Sequence, residues 1–153
     1  MENKNEKIVT LLNGLIEINN DRIKGYEKAA NEVEESDLRM LFTEFATESR
    51  KYRGDLISEV VSNGGTPAEG TTTVGKFYHA WMDIKAAVTG KDTKAIISSC
   101  EFGEDAAMED YDDALKSEYI NTSVSAVVLA QRNRIKEAHN KIKMLRDTAD
   151  VHK

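Results

Sequence analysis

Residues 64–92 read GGTPAEGTTTVGKFYHAWMDIKAAVTGKD, and this stretch decides the fold. It holds the chain's one proline, Pro67, and five of its nine glycines. On both sides the sequence is long, charged and helical in period. The chain therefore divides into a helix pair, a connection and a second helix pair. A helix hairpin turns within a few residues, and the candidate turns at Glu34–Asp37 and Tyr119–Thr122 are that short. Residues 64–92 are far more than a turn requires. A helix of about 27 residues at 1.5 Å each spans roughly 40 Å, and a segment of this length can run back along it. The second and third long helices would then be parallel, as in bundles with one long crossover. The competing reading is a surface loop between antiparallel helices. Phe77, Tyr78, Trp81, Met82, Ile84, Ala87 and Val88 favour the crossover, because their spacing is helical and they need burial. The expectation is an all-α four-helix bundle, one domain over residues 1–153. Its crossover at 64–92 would carry a short extra helix between helices two and three, docked by Trp81.

Composition agrees. The 153 residues are 40% apolar and 31% charged, with a net charge of −6. A single core fits this length. The acidic balance argues against nucleic acid as a partner, since phosphate binding needs a basic face. No apolar run approaches the roughly 18 residues of a membrane span. The N-terminus lacks an uninterrupted apolar region and a cleavage site, so no secretory signal is expected. The single cysteine, Cys100, excludes an internal disulfide, and a cytoplasmic location is expected.

Each long helix has a readable stripe. Helix one, about Asn5–Val33, carries Ile8, Leu12, Leu15, Ile23, Tyr26 and Ala30, with Asn19 on the stripe and Glu17 at its edge. Helix two begins at a Ser36 N-cap and runs through Leu38, Phe42, Phe45, Ser49, Tyr52 and Leu56 to the stop Asn63-Gly64-Gly65. Helix three starts at Asp92 or Thr93 and carries Ile97, Cys100, Glu104, Ala107 and Tyr111. Glu101 lies on an adjoining face. Helix four, capped by Asn121 or Thr122, carries Val124, Val128, Gln131, Ile135, Ala138 and Ile142, with His139 beside Ala138. The tail from Asp147 to Lys153 is expected to fray.

Polar groups thus fall in mid-helix on all four elements. That placement invites comparison with a carboxylate-bridged di-iron site, which takes Glu from two helices and Glu-x-x-His from each of the others. Iron favours such hard oxygens and imidazoles. No Glu-x-x-His occurs here. The residues three before His79, His139 and His152 are Lys76, Lys136 and Ala149. Glu17, Glu104 and His139 remain as candidate ligands for one iron or manganese ion. The bland alternative is a buried polar network around Glu104, with Asn19, Ser49, Tyr52, Glu101 or His139 as members. A buried carboxylate must be paired or neutralised, and the network is the preferred reading. Cys100 reads as a small buried hydrophobe.

The motifs Leu15-Ile16-Glu17-x3-Asp21, Gly25-Tyr26-x2-Ala29-Ala30, His79-x-Trp81-Met82 and Gly103-Glu104-Asp105-Ala106-Ala107-x3-Tyr111 resemble an uncharacterised, largely bacterial family of ferritin-like four-helix-bundle proteins. That family carries a domain of unknown function. The resemblance implies a ferritin-like, rubrerythrin-related fold and no assigned activity. Set beside rubrerythrin-like chains, Glu104 falls at the third-helix ligand, Ser49 and Tyr52 at the second-helix pair, and Lys136 and His139 at the fourth-helix pair. The first-helix ligand falls near Glu17 or Asn19. At most three of six ligands remain.

The leading expectation is a ferritin-like bundle with a degenerate metal centre, acting as a non-enzymatic binding or structural protein. Analogy with ferritin relatives extends this to stress physiology. One rival is a metal-dependent oxidase or peroxidase using Glu17, Glu104 and His139. Another is a module that binds a lipid surface through the crossover helix. A homodimer is the expected assembly.

Overall fold

The computed structural model describes residues 3–72 and 93–151. Among them are four helices and no strand: α1, Lys4–Glu32; α2, Ser36–Ser62; α3, Thr93–Leu115; and α4, Thr122–Val151. The expected extra helix, with Trp81 and His79, falls within 73–92 and lies outside the described residues.

The ends of the helices follow local chemistry. Asn3 and Glu6 form a reciprocal capping box at the start of α1, with the Glu6 amide donating to Asn3 Oδ1 at 2.8 Å. Asn121 caps α4, accepting from the Val124 amide at 2.9 Å. Ser36, expected as the cap of α2, is instead its first helical residue. The Glu35 carbonyl already accepts from the Arg39 amide at 3.0 Å, which puts Glu35 at the cap position. At the end of α2 the chain turns on Gly64, whose φ of 82° is left-handed, and the Gly65 amide donates to the Val60 carbonyl at 2.9 Å. Gly65 lies so close to α1 that a Cβ there would meet Val9 Cγ1 at 2.5 Å. The tail expected to fray at Asp147 continues α4 to Val151.

The helix packing gives the topology. α1 packs on α2 and α3 on α4, while α1 also touches α3 and α2 touches α4. All four adjacent pairs are antiparallel. Along α1 and α3, Arg22 meets Glu104 and Asn19 meets Tyr111. Along α2 and α4, Glu59 meets Ser123 and Tyr52 meets Gln131. It follows that α2 and α3 lie on a diagonal and run in the same direction. The end of α2 and the start of α3 are therefore at opposite ends of the bundle. Thr93 reaches Glu35, in the α1–α2 turn, at 3.4 Å.

The first part of the connection is held against α1. Asn13 donates to the Thr66 carbonyl at 3.0 Å and accepts from the Ala68 amide at 2.8 Å. One turn and more further along, Asn20 donates to the Gly70 carbonyl at 2.8 Å. Asp21 accepts from the Thr72 amide at 3.1 Å and from the Thr72 hydroxyl. Residues 66–72 thus climb α1 in α1's own direction, away from the end of α2.

The core is one cluster drawn from all four helices. Between α1 and α2 it is aromatic: Tyr26 stacks on Phe42 at 5.7 Å and meets Phe45 edge-on at 5.3 Å. On α3 it mixes Ile96, Ile97 and Tyr111 with the small Cys100, Ala106, Ala107 and Ala114. The small side chains leave room for larger polar groups in the same layers.

Candidate functional site

The centre of the bundle holds an ion pair. Arg22 of α1 donates through Nε and Nη2 to the two oxygens of Glu104 on α3, both at 2.8 Å. Its remaining nitrogen, Nη1, donates to Ser49 Oγ of α2 at 2.5 Å. Both charged side chains are fully buried, at 0% exposure. The fork of the guanidinium matches the carboxylate edge to edge, the geometry that makes such pairs strong. Burial alone would lower the Arg22 pKa. The adjoining Glu104 carboxylate outweighs it and holds the guanidinium well above its ordinary value. The face of Tyr26 lies 5.4 Å from the guanidinium carbon, close enough for a cation–π contact.

A second polar layer lies next to the first. Asn19 Nδ2 donates to the Leu15 carbonyl and to Tyr111 Oη, both at 2.9 Å. The Tyr111 hydroxyl donates to Gln131 Oε1 at 2.7 Å, and Gln131 Nε2 donates to the Tyr52 carbonyl at 3.1 Å. This chain crosses from α1 through α3 and α4 to α2. Each helix is thereby fixed in rotation and register, because buried polar groups must find their partners.

Several groups around the pair are held in their neutral forms. Burial, reinforced by Glu104, pushes the Tyr26 phenol well above its usual value. The Cys100 thiol is raised for the same two reasons and is fully buried, which makes it a poor nucleophile. Burial likewise raises Tyr111. Tyr52 is pushed up to about 12, mainly by burial and then by Glu48.

The residues singled out by sequence are dispersed by the fold. Glu104 is central and occupied by Arg22. Ser49 and Asn19 belong to the buried layers. Tyr52 contributes its backbone carbonyl, while its hydroxyl points to Glu48 at 3.5 Å. Glu17 lies one turn from Asp21, on the side of α1 that faces residues 66–72, and its carboxyl is raised first by burial and then by Asp21. His139 lies on the α3–α4 seam, with Nε2 2.6 Å from Asp105 Oδ1. Glu101 is on the same seam, 2.7 Å from Arg146 Nη1. Glu17, Glu104 and His139 are not brought together as a ligand set. Among the described residues, the three-residue group that could hold a metal is Glu101, Asp105 and His139.

Sequence reading missed Arg22 and the anchors Asn13, Asn20 and Asp21. Arg22 had a detectable signal. Leu15, Asn19, Arg22 and Tyr26 follow steps of four, three and four on one helix face.

The fold and its centre define a four-helix bundle with a sealed arginine–glutamate pair bridging three of its helices. The chain belongs to a family described as a domain of unknown function (DUF2383), matched over residues 7–117. Arg22, Ser49 and Glu104 all lie within that span, whereas all of α4 lies beyond it. No curated protein matches the chain. None of the described helices is long and apolar enough to cross a membrane.

Proposed function

We propose that this chain is a ferritin-like bundle in which an internal guanidinium does the work of a metal cation, and that it acts as a non-enzymatic binding or structural protein. The observation that carries the reading is the bidentate Arg22–Glu104 pair. The order of helices, with one long connection between parallel α2 and α3, supports the ferritin-like part, since that connectivity characterises such bundles. In a ferritin-like metal centre, carboxylates from facing helices converge on a dication. Here the carboxylate of α3 converges on a single positive charge supplied by α1. Both Glu104 oxygens accept from the same fork inside a fully buried layer, so a metal ion would have to displace the guanidinium to bind there as it does in a ferritin-like centre. The pair joins α1 to α3, and the third nitrogen adds α2, which is the mechanical role that metal ligands fill elsewhere.

The test is metal content per chain on untagged protein offered ferrous iron and manganese without oxygen, compared with Glu104→Gln. The expected result is that Glu104→Gln leaves the bound metal unchanged, because Glu104 is not a ligand. Iron or manganese at one or two ions per chain, lost in Glu104→Gln but kept in His139→Gln, would overturn the reading. Oxygen consumption would then be the next assay.

A further inference from the structure

The geometry points to a divalent transition-metal site on the α3–α4 seam, made by Glu101, Asp105 and His139 and separate from the central ion pair. Glu101 and Asp105 are four residues apart on α3, one turn, and so present their carboxylates on one face. His139 comes from α4 and closes the group from the other side. One ligand atom from each of the three lies within 4.8 Å of the other two. Metal–nitrogen and metal–oxygen bonds of about 2.0–2.2 Å put tetrahedral ligands roughly 3.4 Å apart. His139 Nε2 and Asp105 Oδ1, now 2.6 Å apart, would open by less than about 1 Å to admit an ion, while Glu101 would close on it.

A second observation makes this more than a cluster of exposed acids. Glu101 is only 9% exposed. Its two oxygens both approach one nitrogen, Arg146 Nη1, at 2.7 and 2.6 Å. One donor is shared between two acceptors, and Oε2 receives no directed hydrogen bond. A buried carboxylate oxygen in that state has coordinating capacity to spare. The local charge agrees: Glu101 and Asp147 both pair with Arg146, and Asp105 adds a third carboxylate beside His139. Arg146 also has somewhere to go: its Nη2 and Nε already lie 3.1 and 3.3 Å from Asp147 Oδ1. An incoming ion can displace it from Glu101 without stranding it.

The donor set fixes the class of ion. One imidazole with two carboxylates suits zinc, manganese or ferrous iron, and disfavours soft monovalent copper. Three protein ligands leave at least one position for water. Such an ion would clamp α3 to α4 part-way along both helices, beside the layer that holds Glu104. The inference does not depend on the proposed function, because none of its ligands touches Arg22 or Glu104 in the contacts described above.

The test is equilibrium dialysis of zinc(II) against untagged protein, with cobalt(II) absorption to report the ligand field. The expected result is one zinc per chain, with affinity at least about tenfold weaker in His139→Gln and in Asp105→Asn. Asp105 is mostly exposed, so Asp105→Asn folds whatever becomes of His139. Glu137→Gln, an exposed carboxylate change on the same helix, should leave affinity unchanged. Arg146→Gln should tighten binding, because it removes the competitor for Glu101. The inference is overturned by any of three results: no saturable zinc binding, equal affinity in His139→Gln and the parent, or weaker binding in Arg146→Gln.

Discussion

Glu104 and Glu101 stand three residues apart on α3, and each takes an arginine from another helix. The two pairs share their chemistry and differ in access to water. The side chains of Arg22 and Glu104 are both at 0% exposure, whereas the side chains of Arg146 and Glu101 retain 33% and 12%. In the core, three guanidinium nitrogens are committed in fixed directions, and solvent cannot replace any of them. At the seam, one nitrogen is spread over two oxygens and the other two hold a neighbouring aspartate. The lesson is that burial decides whether an arginine is a structural part or a replaceable counter-ion. A sealed pair cannot exchange its cation without exposing a charge to a low-dielectric interior. A rim pair can.

The sharpest way to break this comparison is to remove one partner from the core. Glu104→Ala leaves the Arg22 guanidinium buried without its counter-charge and should destabilise the fold by about 3–5 kcal/mol. Urea unfolding would read this as a lower midpoint at similar slope. Replacing both groups by apolar residues, as in Arg22→Met with Glu104→Leu, should recover most of that loss, because the desolvation of two ions is then no longer required. A loss below about 1 kcal/mol in Glu104→Ala, in the range of exposed pairs, would place the pair with the rim and remove the contrast.

This contrast also marks how far the sequence could be read. The four stripes, the Gly64-Gly65 stop and the parallel relation of α2 and α3 followed from apolar spacing and from the length of residues 64–92. Glu104 was legible as a core carboxylate because Cys100 and Ala107 bracket it. Its partner was not, because arginine in a charged helix is by default assigned to solvent, and Arg22 overrode that default only through a contact 82 positions away. Asn13, Asn20 and Asp21 are harder still. They lie off the apolar stripe, and what makes them structural is the backbone of residues 66–72 together with the Thr72 hydroxyl, contacts that leave no periodic pattern in the sequence. Ser36 was misplaced by one residue, a shift that helix-end chemistry alone cannot resolve.

The second polar layer extends the comparison within the core, from charged to neutral groups. Tyr111→Phe removes a hydroxyl that accepts from Asn19 and donates to Gln131. Both partners remain buried, so the loss should be about 1–3 kcal/mol, smaller than for the charged pair. Hydrogen exchange should show the change on all four helices, since the chain Asn19–Tyr111–Gln131–Tyr52 touches each of them. An effect confined to α3 would mean that the layer does not couple the helices.

Titration probes the core side of the comparison. The folded Tyr52 phenol is raised to about 12 from an ordinary 10.0, and Tyr26 and Tyr111 are raised as well. For a group raised on folding, the folded state holds the proton more tightly than the unfolded state. The stability that this provides is complete below the unfolded pKa and is lost as pH rises through the folded one. Stability should therefore be level up to about pH 10 and fall between about 10 and 12. Thermal melts across that range would measure it. Tyr111→Phe should flatten part of the fall, and a midpoint that is constant to about pH 12 would show that these phenols ionise as easily folded as unfolded.

The smallest effect belongs to the rim. Arg146→Gln breaks a pair that water already reaches on the arginine side, and such pairs contribute about 0–1 kcal/mol. The expected loss at low salt is therefore below about 1 kcal/mol, and it should shrink further at high salt, where exposed charges are screened. Glu104→Ala, in contrast, should keep its penalty as salt is added, because ions do not enter the sealed layer. Unfolding the two variants at low and high salt gives the comparison its cleanest form. A salt-independent loss of several kcal/mol in Arg146→Gln, of the size expected for buried pairs, would make Arg146 a second structural arginine. It would also mean that Glu101 is not free to change partners.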